Sequence, residues 1–541
     1  MRMTTSAYLR SANQPPPLEG YDLFSQDHPL VEALRREGAA DREGECAAFG
    51  RLCGGEPLEL GRLANENLPK LRAFDRFGER MDEVELHPAW HELMRIGVEH
   101  GLHAAPWAEA RPGAHVARAA RFMTLGYAEA GVGCPLSMTY AAVPALRVDA
   151  TIAAEWEPLL AVRAYAPGLR PPAEKSGALM GMALTERQGG SDVRANETRA
   201  EPLADGAYAL TGEKWFCSAP MCDAFLVLAQ APAGLTCFVL PRVLANGERN
   251  GFRIQRLKDK LGNRSNASAE IELADAWAAR LGEEGRGVAT IIEMVVHTRL
   301  DCTLGSTALM RRAVAEATHH AAYRAAFGRL LAEQPLHQNV LADLCLDSEA
   351  ATATALRLAR SVDDGERAFR RLATAVAKYW ICKTTPALVA EALECIGGNA
   401  YVEESPLPRL YRESPLNSLC EGAGNVIALD LLRAGTKEPE SVEAVLAEIG
   451  LAGGADERLD AASGRLREQL ADAEELEYRA RRVVELFALC LQGSLLVRHA
   501  PPVVADAFCA ARLGGEGGRA YGTLPRGVDC SAIVERHRPR L

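Results

Sequence analysis

The sequence has no C-x-x-C pair, although cysteines stand at 46, 53, 134, 217, 222, 237, 302, 345, 382, 395, 420, 490, 509 and 530. That absence excludes a zinc ribbon and a thioredoxin-type redox motif. Thiols scattered in this way fit a reducing compartment, with most of them buried. The first residues, MRMTTSAYLRSANQPPPLEG, lack the apolar core of a secretory leader. The longest apolar-looking run, Val483 to Val497, carries Glu485 and Gln492. It falls short of the roughly 20 apolar residues that span a bilayer. A soluble, cytoplasmic protein with no membrane segment is therefore expected. A net positive charge is lacking as well: 61 Lys and Arg face 72 Asp and Glu, and the net charge is -11. Any contact with nucleic acid must come from a local cluster of arginine or lysine. No P-loop occurs. GAGNVI lacks the third small residue of a dinucleotide fingerprint and follows no clear strand. HELMR, His91 to Arg95, misses the last histidine of H-E-x-x-H, and no His-x-Asp starts a non-haem iron triad. No metal is expected.

What is present is an ordinary globular composition, 48% hydrophobic and 25% charged, over 541 residues. That length needs several cores. Residues 1–176 read as a helical domain after a proline-rich arm, because HPAWHELMRIGVEHGL and HVARAARFMTLGYAEAG repeat apolar residues every three or four positions. From Gly177 the pattern becomes short apolar runs cut by Gly, Asp, Asn and Pro, which predicts an antiparallel β-barrel or sandwich over 177–284. Helical spacing returns over 285–440. After Lys437-Glu438-Pro439-Glu440 a helical C-terminal extension fills 441–541. The predicted fold class is multidomain α+β, ordered helical, β, helical, with the added helical piece.

Five stretches could carry chemistry. In MALTERQGGSDVRANETRA, Met182 to Ala200, an apolar strand breaks into Gly189-Gly190-Ser191-Asp192. The glycines would free N–H groups toward a ligand, with Thr185, Gln188 and Ser191 beside them; a plain strand-to-turn transition explains the same residues. GEKWFCSAP, around Phe216, Cys217 and Ser218, could wall an aromatic cofactor or fill a barrel core. KDKLGNRSNASAEIEL, Lys258 to Leu273, gathers cations and amides around one glycine and could equally be a solvated turn. Arg324, Phe327 and Gly328 place an arginine beside an aromatic, suited to a pyrophosphate and an adenine, or simply to a helix end. The last stretch, Ala392 to Arg433, holds Gly397-Gly398 and then Glu421-Gly422-Ala423-Gly424-Asn425, in which Asn425 could cap the following helix.

Taken in order, T-E-x-x-G-G-S-D, W-F-C-S, K-x-G-x-R, R-x-x-F-G, and G-G followed by R-L-Y-R-E and E-G resemble the acyl-CoA dehydrogenase family. The arm, GRLANEN, EAGVGCPLSMTYAA, KDKLGNRSNAS and the long extension look like that family's alkylation-response branch. The resemblance implies FAD as cofactor. It implies that Met182, Thr185, Gln188, Gly189, Gly190 and Ser191 line the flavin. Phe216, Cys217 and Ser218 would follow its edge, and Leu419, Gly422, Gly424 and Asn425 would close the other side. Arg324, Phe327, Gln338, Gly397 and Gly398 would hold the ADP half across a subunit interface, in a homotetramer built as a dimer of dimers. Glu421 would be the base that removes a thioester α-proton, and Arg433 would pair with it or with an anionic ligand. Activity on acyl-CoA, isovaleryl-CoA in particular, would be weak. The run Glu-Gly-Ala-Gly-Asn departs from the Thr or Ser usual after E-G, and Cys217 stands where an aliphatic or aromatic residue is common.

The same resemblance implies double-stranded DNA as a partner of the extension. From Val445 to Leu541 there are thirteen Arg and no Lys against fourteen acidic residues; from Arg498 onward there are seven Arg against four acids. Arg465, Arg467, Arg479, Arg481 and Arg482 lie on or near an amphipathic helix with Leu466, Leu470, Val484, Phe487 and Leu491 on its apolar side. Arg479, Arg482, Arg512 and Arg519 are the candidate phosphate contacts. Glu474, Glu475, Glu477 and Glu516 weigh against a strongly basic patch. A metabolic acyl-CoA dehydrogenase with a decorated C-terminus is the competing reading.

Overall fold

The computed structural model describes residues 13–541. In chain order the early elements are α1 (His28–Leu34), α2 (Glu43–Cys53), α3 (Glu56–Glu66), β1 (Lys70–Phe74), β2 (Arg80–Glu85), α4 (Pro88–Glu99), α5 (Ala114–Ala128), α6 (Gly133–Leu146) and α7 (Ala150–Ala161). The strands β3 (Met180–Ala183), β4 (Arg199–Pro202), β5 (Tyr208–Ser218), β6 (Ala224–Ala231), β7 (Gly234–Pro241), β8 (Phe252–Leu257) and β9 (Ser268–Leu281) follow. Then come α8 (Gly287–Tyr323), the two-residue strands β10 (Ala325–Ala326) and β11 (Arg329–Leu330), α9 (Pro335–Asp363), α10 (Arg367–Ile396), α11 (Pro406–Glu413) and α12 (Gly424–Lys437). The chain ends with α13 (Pro439–Gly450), α14 (Glu457–Ala471), α15 (Leu476–His499), α16 (Pro502–Phe508) and α17 (Cys530–His537). No described helix is long and apolar enough to cross a membrane.

The chain divides into two compact units. One holds residues 57–111 and 129–301. Its sheet runs β3-β6-β4-β5-β9-β7, and β7 also pairs with β6, so five strands close into a ring while β8 adds to β9. Strands β6 and β7 are buried almost throughout, which is why AFLVLAQA and GLTCFVLP read as continuous apolar runs. By contrast β8 alternates, with Phe252 and Ile254 in and Arg253 and Gln255 out. Most pairings are antiparallel, but β3 and β4 both pair with β6 in parallel, which the alternation of residue types does not reveal. The β1–β2 hairpin also interrupts a region read as helical. Asp75 Oδ1 accepts from Phe77 N and Glu79 N, and this side-chain turn reverses two strands too charged to show an apolar period.

The second unit holds the described residues up to 56, with 112–128 and 302–541. Its core is built on α5, α9 and α10, rich in alanine and buried along most of their length. Asp363, the last residue of α9, accepts from the first-turn N–H groups of His115 and Val116 at the start of α5, both at 3.1 Å. In the extension, Leu466 of α14 and Val484, Phe487 and Leu491 of α15 are buried, as their spacing predicts. α15 packs on α9, α10 and α12, and α17 packs on α9.

Candidate functional site

In the barrel unit, β3 leads into the turn Thr185 to Ser191. A Cβ on Gly190 would stand 2.4 Å from Thr185 Oγ1, so any larger residue there must displace that side chain. The turn is anchored from below by a residue that sequence reasoning missed. Lys214 of β5, fully buried, donates to Glu186 Oε1 at 2.7 Å and to Leu228 O at 2.8 Å. Glu186 also accepts from Thr198 Oγ1 at 2.6 Å and from the N–H groups of Glu197 and Thr198. Burial works to raise its pKa, but the Lys214 charge and these donors outweigh burial and hold the carboxyl below its ordinary value. A lysine inside a strand with an apolar inward face was the available signal.

Trp215 N donates to Thr185 O at 2.8 Å and so lays β5 along the start of the turn. Phe216 is 53% exposed, while Cys217 is completely buried. The β5–β9 register slips between Lys214 and Cys217, which turns the thiol into the barrel; burial pushes its pKa up to about 12. The Cys217 side chain thus points into the barrel, while Phe216 and Ser218 keep some exposure. Lys258 Nζ stands 3.5 Å from the centre of the Trp215 ring and 4.6 Å from that of Phe216, and Arg187 lies 4.8 Å over Trp215. Met182 is half-buried; Gln188 and Ser191 are exposed. GRLANEN, EAGVG and KDKLGNRSNAS converge on one buried carboxylate: Glu129 accepts from Asn65 at 3.0 Å, Ser265 at 2.7 Å and Val132 N at 2.8 Å.

In the helical unit, the loop after α11 carries Leu419, 65% exposed, and Glu421, half-buried. Glu421 sits at φ +55° and Gly422 at +100°. A non-glycine residue holds the left-handed region only where its surroundings impose it, and such residues gather at functional sites. Lys378 of α10, 1% exposed, donates to Gly422 O at 2.5 Å. Asn417 bonds Ser306 of α8 at 3.1 Å. The Glu421 charge is close enough to Cys302 to help raise that thiol's pKa, after burial and Cys382.

Three expectations in this unit are corrected. Asn425 does not cap α12. The helix begins at Gly424 with Ala423 at the cap, and Asn425 Oδ1 instead accepts from Arg481 Nε at 2.8 Å. Arg512 is not a free phosphate contact: it is clamped between Asp343 at 2.5 Å and Asp347 at 3.0 Å. Arg479 is likewise used internally, on Gln469 and the carbonyls of Asp472 and Glu474. Arg482 and Arg519 are exposed. Arg324 donates to Asn13 O at 2.8 Å and Gln338 to Ala332 O at 2.7 Å. Phe327 is 100% exposed at the tip of the β10–β11 hairpin, at φ +54° with Gly328 at +78°. Gly397 and Gly398 are exposed at the end of α10.

Three family models match the chain: the adaptive response protein AidB N-terminal domain over residues 13–167, the acyl-CoA dehydrogenase middle domain over 181–276, and the acyl-CoA dehydrogenase C-terminal domain over 285–436. AidB of Escherichia coli (strain K12) is 47% identical over 515 residues, 94% of either chain. Caenorhabditis elegans ACDH-11, solved in complex with C11-CoA, superposes with a TM-score of 0.83 at 26% identity, covering 100% of this chain and 94% of that one. An acyl-CoA dehydrogenase of Bacillus anthracis complexed with FAD gives a TM-score of 0.63 at 18% identity, covering 83% of this chain and 82% of that chain, a likeness of fold alone.

Proposed function

Because the chain belongs to the acyl-CoA dehydrogenase family, in its AidB branch, we propose that it is a flavoprotein of the adaptive response to DNA alkylation, which binds double-stranded DNA and limits alkylation damage. The observation that carries this reading is the 47% identity to AidB, sustained over 94% of both chains and so reaching into the extension. FAD is its cofactor. The residues fit a flat ring with polar edges. The turn from Thr185 to Ser191 in the barrel unit offers hydroxyls and N–H groups beside the exposed Phe216. When bound, the flavin supplies a hydride acceptor. Glu421 would hold the α-proton of an acyl thioester, and the backbone around it is already set in place by Lys378.

Toward DNA, the exposed Arg482 and Arg519 would meet phosphates. Arg479 and Arg512 drop out of that set because their guanidinium groups are already bonded. Assembly into a homotetramer is supported by the bare Phe327, a large apolar side chain fixed on a tight hairpin. The likeness to an enzyme solved with C11-CoA favours a second reading, a metabolic dehydrogenase for an acyl-CoA.

Binding of duplex DNA across a salt series, set beside anaerobic titration with isovaleryl-CoA, separates the two. Arg482→Gln and Arg519→Gln should each reduce the slope of log affinity on log salt by about 0.9. The flavin band should bleach only slowly in the parent and not at all in Glu421→Gln. Fast bleaching with no DNA affinity would replace the first reading by the second.

A further inference from the structure

The C-terminal extension reaches the loop that carries Glu421. Arg481, on the first turns of α15, donates from Nε to Asn425 Oδ1 at 2.8 Å. A guanidinium has donors and no acceptor, so this bond fixes the amide: Oδ1 faces Arg481 and the Nδ2 group is turned elsewhere. The same arginine covers the beginning of α12. A Cβ on Gly424 would lie 3.3 Å from Arg481 Nη2, from Lys383 Cε and from Tyr379 Cε2. Ala423 gives α12 no side-chain cap, so the start of the helix is held by these neighbours. The loop is therefore pinned twice, at Gly422 by Lys378 of α10 and at Asn425 by Arg481 of α15, and the left-handed Glu421 adjoins the first pin.

Charge does not account for the position of Arg481. No carboxylate forms an ion pair with it among the described residues. Its neighbours on α10 are Lys383 and Tyr379, and Lys383 is pushed to a lower pKa by burial and then by Arg481 and Lys378. An arginine kept beside a cation by a hydrogen bond to a loop amide has a task at that loop. Arg481 and the next residue, Arg482, are both exposed; the bond from Arg481 Nε to Asn425 Oδ1 directs the first of them to the loop.

We infer that Arg481 is a positioning residue of the flavin site: through Asn425 the extension sets the conformation of the Glu421 loop. This deepens the reading of that loop as a wall of the cofactor site and rests on it. It makes the extension a structural part of the redox centre as well as a surface for a partner.

The test is a double-mutant cycle on the full-length holoprotein. FAD dissociation and the shape of the flavin absorption band are measured for the parent, Arg481→Ala, Asn425→Ala and the pair, with Arg481→Gln alongside as the milder change. Arg481→Ala should weaken FAD retention about tenfold, the effect of losing one charge-assisted hydrogen bond, and shift the band. In the Asn425→Ala background the same change should add nothing. Melting temperature reports any general loss of fold, which would weaken retention equally in both backgrounds. Equal effects in the two backgrounds, or no effect of Arg481→Ala where Asn425→Ala weakens retention, overturn the inference and leave the cofactor loop standing. No effect of Asn425→Ala would remove both.

Discussion

At the scale of single residues, the turn from Thr185 to Ser191 depends on groups buried behind it. Lys214 and Glu186 are buried together, and the carboxylate supports the turn from Thr185 to Ser191 through Thr198 and two backbone donors. Breaking such a pair from one side leaves an uncompensated charge. Lys214→Ala should lower stability by about 3–5 kcal/mol in chemical denaturation, and the FAD-loaded fraction should fall with it. Gly190→Ala is the complementary change. It puts a methyl 2.4 Å from Thr185 Oγ1 and must displace that side chain. Retention of FAD should drop while the melting temperature moves by only a few degrees, as a near-surface turn can yield locally. Much of this was written in the one-dimensional pattern: T-E-x-x-G-G-S-D marks the turn. The Lys214 support was not, because it joins positions 28 residues apart through a barrel whose closure no local period encodes.

At the scale of elements, helices were legible where one face is apolar, as in α14 and α15, and their ends were less so. Asn425 sits one residue inside α12, and a residue type that favours caps is engaged there by an arginine 56 positions away. Arg512 stood in a glycine-rich, outwardly cationic stretch, yet two aspartates of α9 hold it inside. Such pairings are tertiary and invisible to composition. The same holds for α17. Its Arg536 and His537 both bond Glu349 of α9, and Arg311 donates to His537 Nδ1, so the neutral imidazole carries its proton on Nε2 and donates it to the carboxylate. Burial acts to raise the Glu349 pKa, but His537 and Arg536 overcome it and hold the carboxyl at about 2. A folded-state value below the unfolded one, about 4.3, means the stabilisation is complete above that pH and is lost as pH falls toward 2. His537, lowered chiefly by burial, works in the same direction. Amide protection over residues 530–537 should therefore collapse across that acidic interval, with about 3 kcal/mol at stake. Hydrogen exchange on the parent and on Glu349→Gln checks this, and the variant should lose most of the pH dependence.

At the scale of the whole molecule, the hairpin carrying Phe327 gives the assembly reading its sharpest test. On the proposed homotetramer, with the ADP half of FAD held across the proposed interface, Phe327→Asp should give smaller species in mass photometry and weaken FAD retention in parallel. Unchanged mass would count against the hairpin as a contact. The unit that contains α12 and the extension is also discontinuous in sequence: it draws on residues 13–56, 112–128 and 302–541. Arg536 near the C-terminus pairs with Glu32 near the N-terminus, and Arg540 N bonds Gln26. During synthesis on the ribosome the barrel unit, complete by residue 301, has all its strands before α9 exists. α2 and α5 can pack on each other, but α1 and α5 must wait for α9, and α1 meets α17 later still. The segments made before the barrel therefore complete their packing only against a helix made after it, and a nascent chain stalled before α9 carries a finished barrel beside an unfinished helical core.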